Sequence, residues 1–291
     1  MRVTERIVFR HAVSDVMNLR SRLFTLQQQG ATGKRFQSIE EDPTSAERIR
    51  MLREAREATL HYETNIIRSK TQLEAADAAL DEATNLLIRA KELAIAGSNE
   101  TMTAEQRAIY GQEVDSLFES MVGVANTEAA GEFVFGGFLV NQEPFQTDGT
   151  FLGDNGQKEV DVGPSSRVQV NVSGDDTFTV SGGIDVFTAL SDLQTALNTN
   201  DLNGIRTAID QMDLAQTQIS NGRTDAGLKL NRLDVASAVR TRLEDSLTSE
   251  ESDILDVDSV EVFMDLNATL SALQSAVSVS QRVVNTPIIG T

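Results

Sequence analysis

Residues 44–96 run without a single proline or glycine, and along them apolar or small side chains recur at alternating intervals of three and four. The series is Leu52, Ala55, Thr59, Tyr62, Ile66, Ser69, Leu73, Ala76, Leu80, Ala83, Leu87, Ala90, Ala94 and Gly97. A stripe of that period is one face of an α-helix. At about 1.5 Å per residue the helix would be about 80 Å long, whereas helices in ordinary globular domains run about 8–20 residues. The chain is therefore expected to build an elongated helical rod rather than a thick globular core. Its composition agrees: there is no Trp, there are two Tyr, and seven of the twelve Phe fall between Phe133 and Phe187. Most of the protein must pack with Leu, Ile, Val and Ala on thin helical layers.

The same period appears at both ends. Phe9, Ala12, Val16, Leu19, Leu23 and Leu26 predict a helix over about residues 5–29. Val260, Phe263, Leu266, Leu270, Leu273 and Val277 predict a second one. These two stripes are read as the seam of an antiparallel coiled coil. Their charges complement each other: the first carries Arg6, Arg10, Arg20 and Arg22, while residues 243–281 hold nine acids and no Lys or Arg. In an antiparallel pairing Arg20 and Arg22 would approach Glu261 and Asp265. Exposed pairs of this kind contribute only about 0–1 kcal/mol, so they would set orientation more than stability.

The rod ends at Gly97-Ser98-Asn99, and Thr103 with Gln106 forms a capping box for a helix that shows Tyr110, Val114, Leu117, Met121 and Val124. After Asn126 the period changes. EFVFGGF (132–138), KEVDVG (158–163), RVQVNV (167–172) and TFTV (177–180) read as strands separated by turns such as GDNG and SGDD, which makes a small β domain. Helical spacing resumes with Val186, Leu190, Leu193 and Leu197, and again from Ile205. The expected fold is mainly α with a β insert. Residues 1–43 and 256–291 would form a terminal coiled-coil domain, 44–131 and 185–255 the helical rod, and 132–184 the β domain.

Chemistry is hard to place on this chain. With no cysteine there are no disulfides, thiolate metal sites or nucleophilic thiols. GATGKR (30–35) lacks the phosphate-loop spacing, since Gln28 stands where Gly is needed and Arg35 where Ser or Thr is needed. The acidic run 253–265 fails the calcium-loop pattern, with Glu261 and Asn267 at the sixth and twelfth positions counted from Asp256. His11 and His61 have no ligand spacing, and there is no Gly-x-Ser-x-Gly. No catalytic, cofactor or metal residue is expected. A net charge of −19 argues against nucleic acid as a partner. No run of about 20 apolar residues suggests a membrane span, and Arg2, Glu5, Arg6 and Arg10 interrupt any signal-peptide core.

Four stretches together resemble the flagellin superfamily, nearest to its members that join hook to filament. They are TGKRFQSIEEDPTSA from residue 32, RAKELAIAGSNETMTAEQRA (89–108), ANTEAAGEFVFGGF (125–138) and DAGLKLNRLD (225–234). The short β section and the Phe-Gly-Gly run favour a junction subunit over flagellin itself. One departure is the ending RVVNTPIIGT, where Pro287 stops the helix. The resemblance implies a structural, extracellular flagellar subunit exported by the flagellar type III system without a cleaved signal. It further implies a homo-oligomeric ring between the first hook-associated protein and flagellin, and an export chaperone beforehand. A flagellin filament subunit and, from another class, a cytoplasmic coiled-coil adaptor or chaperone are the alternatives. Within the family-like connector, Gly33, Lys34, Arg35, Glu41, Asp42 and Pro43 are the expected turn and inter-subunit contact residues.

Overall fold

The computed structural model describes residues 2–179 and 183–285. Six helices follow one another: α1 (Arg2–Thr32), α2 (Pro43–Gly97), α3 (Ala104–Ala125), α4 (Val186–Asn198), α5 (Leu202–Leu255) and α6 (Ser259–Asn285). Between α3 and α4 lie two short antiparallel hairpins, β1 (Glu128–Ala129) with β2 (Glu132–Phe133) and β3 (Glu159–Gly163) with β4 (Ser166–Gln169). The chain divides into two compact units, residues 1–57 with 244–291, and residues 58–243.

In the second unit the stripe on α2 does what its spacing requires. Ile66, Ser69, Leu73, Ala76, Leu80, Ala83, Leu87, Ala90 and Ala94 are all buried. They share one continuous core with Val114 and Met121 of α3, Leu190, Leu193 and Leu197 of α4, and Ile205, Met212 and Ile219 of α5. Each fully buried Leu or Ile contributes about 1.5–3 kcal/mol relative to exposure. The alternation of Ala with Leu lets the helices approach closely. Charges flank that seam: Lys70 pairs with Asp234, Lys91 with Asp213, and Arg223 with Asp77 at 3.2 Å and Asp81 at 2.6 Å. These pairs run α5 antiparallel to α2.

The α3 capping box forms as its sequence predicts. Gln106 N–H donates to Thr103 Oγ1 at 3.3 Å, and Thr103 N–H donates to Gln106 Oε1 at 3.0 Å. The β insert is less regular than its sequence suggests. EFVFGGF is a strand only at Glu132–Phe133, and TFTV lies mostly in a π-helical turn at Asp175–Thr179, with Val180 outside the described residues. Aromatic packing explains both corrections. Phe135, Phe145 and Phe178 are fully buried, with ring centroids 5.3 Å apart for Phe135 and Phe178 and 5.4 Å for Phe145 and Phe178. Turning these rings into one cluster is worth more than extending a two-stranded ladder. The cluster belongs to the same core as α2.

Glu132 anchors the insert to α2. Its carboxylate accepts from Lys158 Nζ at 2.7 Å, from Gln72 Nε2 at 2.7 Å, and from Arg68. The Lys158 hydrogen bond, together with Gln72 and Arg68 and against the opposing effect of burial, holds its pKa below the ordinary carboxylate value. A depressed folded-state pKa means a stabilisation present above the unfolded value of 4.5 and lost as pH falls through the folded one. Thermal melts from pH 7 down through the acid range should therefore fall more steeply for the wild type than for Glu132→Gln; parallel curves would remove the anchor.

Candidate assembly surfaces

The first unit holds the sequence-marked connector. Helix α1 ends at Thr32, and Gly33 takes a φ of +69°, a left-handed geometry that a side chain would disfavour. Its N–H donates to Gln29 O at 2.8 Å, closing the helix. The chain then runs beside the link between α5 and α6: Arg35 N–H donates to Leu255 O at 2.7 Å, and Val257 N–H donates to Gly33 O at 3.0 Å. Phe36 closes this junction by packing on Ile49 and Leu255. The two connectors thus fix each other, which the order of residues along the chain does not reveal.

The acidic half of the connector has local work. Ser38 Oγ and Gln37 N–H both donate to the Glu41 carboxylate at 3.2 Å. Asp42 Oδ1 accepts from Ser45 N–H at 3.0 Å, capping α2 with Pro43 at its first position. The Ser45 side chain and backbone lower the Asp42 pKa, and Arg35 adds to the effect. Lys34 and Arg35, by contrast, expose their side chains. A groove of about 960 Å³ lies here, lined by Lys34, Phe36, Ile39, Ile49, Arg50 and Glu57 among others.

Helices α1 and α6 pack together. Arg22 pairs with Asp265 at 2.9 Å and Gly30 faces Val262, which together give the antiparallel sense expected from the charges. On α1 the seam is in phase: Val16, Leu19 and Leu23 are half-buried and Leu26 is buried, while the Phe9 side chain lies outside the described residues. On α6 the first turn needs correction. Val260 and Phe263 are 67% and 55% exposed, and Val262 is the buried residue at 6%. Asp258 sets this phase by accepting from Val260 N–H at 2.8 Å, and Val262 lies over Gly30, where its Cγ1 would stand 3.6 Å from an added Cβ. Further along, Leu266, Leu270, Leu273 and Val277 are half-buried. The outward face of this unit is apolar at Met17 and Phe24 as well as at Val260 and Phe263.

Two fixed points mark the entry to the β insert. Asn126 receives Phe145 N–H on Oδ1 at 2.9 Å and donates its Nδ2 to Phe145 O at 2.8 Å. Gly137 has a φ of +69°, and a Cβ there would stand 2.1 Å from Asp154 O. Asp154 Oδ1 accepts from both Phe138 N–H and Gly156 N–H at 2.8 Å. Among the described residues no group of three His, Asp or Glu could hold a metal ion. No described helix is long and apolar enough to cross a membrane.

Residues 9–138 match the family model of the bacterial flagellin N-terminal helical region. The fold is shared with solved structures. The flagellar junction protein FlgL from Legionella pneumophila has a TM-score of 0.59 at 16% identity, covering 72% of this chain and 99% of that one. FlgL from Xanthomonas campestris has a TM-score of 0.61 at 18% identity, covering 67% and 98%. Over its N-terminal helices, connector and entry to the β insert, the chain is similar to the bacterial flagellins. Flagellar hook-associated protein 3 of Escherichia coli is 22% identical over 94% of this chain and 91% of its own length. A flagellin of Halalkalibacterium halodurans is 26% identical over 68% of this chain and 64% of its own.

Proposed function

We propose that this chain is the structural subunit that joins the flagellar hook to the flagellin filament. The observation that carries this reading is the likeness to hook-associated protein 3 over nearly the full length of both chains, where the flagellin likeness covers about two thirds of each. On this reading the chain is no enzyme. It assembles as a ring between the first hook-associated protein and flagellin, and lies outside the cell after flagellar type III export with the help of a chaperone. Residues 1–43 with 256–291 serve as the terminal coiled-coil domain, 44–131 with 185–255 as the rod, and 132–184 as the β domain.

The exposed apolar residues of the terminal helices support inter-subunit burial. Met17 and Phe24 on α1 and Val260 and Phe263 on α6 expose more apolar surface than a monomer needs. Lys34 and Arg35 expose their side chains to neighbours, whereas Glu41 and Asp42 hydrogen-bond within the subunit. Loss of the gene should leave hooks without filaments and flagellin in the medium. Cells that still carried filaments of normal length would overturn the junction role. Purified protein that grew into long filaments from seeds would make it a filament subunit instead.

A further inference from the structure

Three Asn-Gly steps occur along the chain, at 155–156, 203–204 and 221–222. At such a step no side chain shields the nitrogen that follows the asparagine, so this nitrogen can reach the asparagine Cγ and close a five-membered imide. Closure requires the asparagine ψ and χ1 to rotate together. Asn203–Gly204 and Asn221–Gly222 lie inside α5, where helical geometry forbids that rotation. Asn155–Gly156 lies between Phe151 and β3, outside any helix or strand, and Asn155 is exposed to water.

The fold supplies more than freedom at this step, because polar groups meet each of the reacting atoms. Gly156 N–H donates to Asp154 Oδ1 at 2.8 Å, within the reach a general base needs. Asn155 Oδ1 accepts from Ser173 Oγ at 2.9 Å, the distance of a donor that stabilises a developing oxyanion. Asn155 Nδ2, the group that would leave, donates to Asp175 Oδ2 at 2.8 Å. Packing imposes glycine at 156, since a Cβ there would stand 2.1 Å from Phe138 Cδ2. Ser173 and Asp175 follow the β3–β4 hairpin in sequence and Asp154 precedes it, so folding assembles this arrangement.

We propose that Asn155–Gly156 is a self-modifying site of the folded protein, with Asp154 and Ser173 as its catalytic residues. The Gly156 nitrogen attacks Asn155 Cγ, and its proton passes to Asp154. The negative charge that develops on Oδ1 is held by the Ser173 hydroxyl. The Cγ–Nδ2 bond breaks as Nδ2 takes a proton from water and leaves as ammonia, and Asp154 returns its proton to the hydroxide left behind. Water then opens the imide at either carbonyl, leaving aspartate at 155 or an isoaspartyl link. Each product places a carboxylate where an amide donated to Asp175, so attraction gives way to like-charge repulsion. This chemistry is independent of the junction reading and does not require assembly.

The test follows the purified chain at neutral pH, native and in urea, by peptide mapping with mass spectrometry and an isoaspartyl methyltransferase assay. In the native chain position 155 should convert while 203 and 221 remain asparagine; in urea all three should convert. Ser173→Ala should slow native conversion at 155 by about tenfold, less than the ~10²–10³ lost with an oxyanion donor in an evolved enzyme. Ser173→Thr keeps the hydroxyl and should restore the rate. An unmodified Asn155 in the native chain would overturn the proposal. So would equal or faster conversion in Ser173→Ala, because a merely mobile loop reacts faster when a restraint is removed. If both Ser173 variants unfold, the wild type decides: conversion at 155 as fast in the native chain as in urea supports the built site, and slower native conversion overturns it.

Discussion

Phe145→Ala should cost about 3–5 kcal/mol of stability, the range for removing a fully buried aromatic ring from a tight core. Phe145 has no exposed surface. Its ring centroid lies 5.0 Å from that of Phe151, 5.2 Å from Phe187 and 5.4 Å from Phe178. The surroundings cannot easily collapse into the space, because Asn126 holds the Phe145 backbone through both its N–H and its carbonyl. The cavity term should therefore remain largely unrelieved, placing the loss in the upper half of the range. Urea denaturation followed by circular dichroism measures it. Phe138→Ala is the control: its ring is 60% exposed, and a surface truncation of this kind should change stability by less than about 1 kcal/mol. Equal effects for the two variants would mean that the aromatic cluster does not belong to the cooperative core.

The parts of this fold that the sequence reveals are those where one period dominates. From Ile66 to Ala94 the helix α2 carries one unbroken stripe of apolar and small residues at helical spacing, and that stripe is buried. Local hydrogen bonding is equally legible where a capping box is spelled out: Thr103 with Gln106 acts as its spacing requires. The α6 phase is illegible because SVEVFMDL offers apolar residues at 260, 262, 263, 264 and 266, enough for more than one face. What selects Val262 is a partner far away in sequence, the bare backbone of Gly30. The TFTV segment fails for a related reason. A β-forming composition describes a residue's preference for a pleated surface, but Phe178 is placed by three other rings brought together from distant positions. In the connector the residue pattern is visible in the sequence, whereas its division into locally hydrogen-bonded acids and exposed cations requires the fold.

Arg107 was also hidden, since an arginine in the first turn of a surface-looking helix carries no signal of burial. It is 3% exposed, and its guanidinium donates from Nε to Gly97 O at 2.7 Å and from Nη2 to Asn99 O at 2.7 Å. A third bond goes to Asn200 Oδ1, on a residue held in left-handed geometry with a φ of +60°, which asparagine tolerates. One side chain thus binds the end of α2, the turn after it and the turn between α4 and α5, satisfying carbonyls that the helix end leaves open. Arg107→Leu keeps much of the volume but abandons these acceptors. Hydrogen bonds from a charged donor contribute about 1.5–3 kcal/mol each, and losing three that share one donor should cost about 3–4 kcal/mol in total, because the vacated carbonyls regain some water. Arg107→Lys should recover about half by reaching one or two acceptors as a point charge without the planar fork. Hydrogen exchange should show the loss first at the α2 end and the α4–α5 turn. A uniform drop across the chain, with Lys no better than Leu, would show that the guanidinium fills space without clasping these three ends.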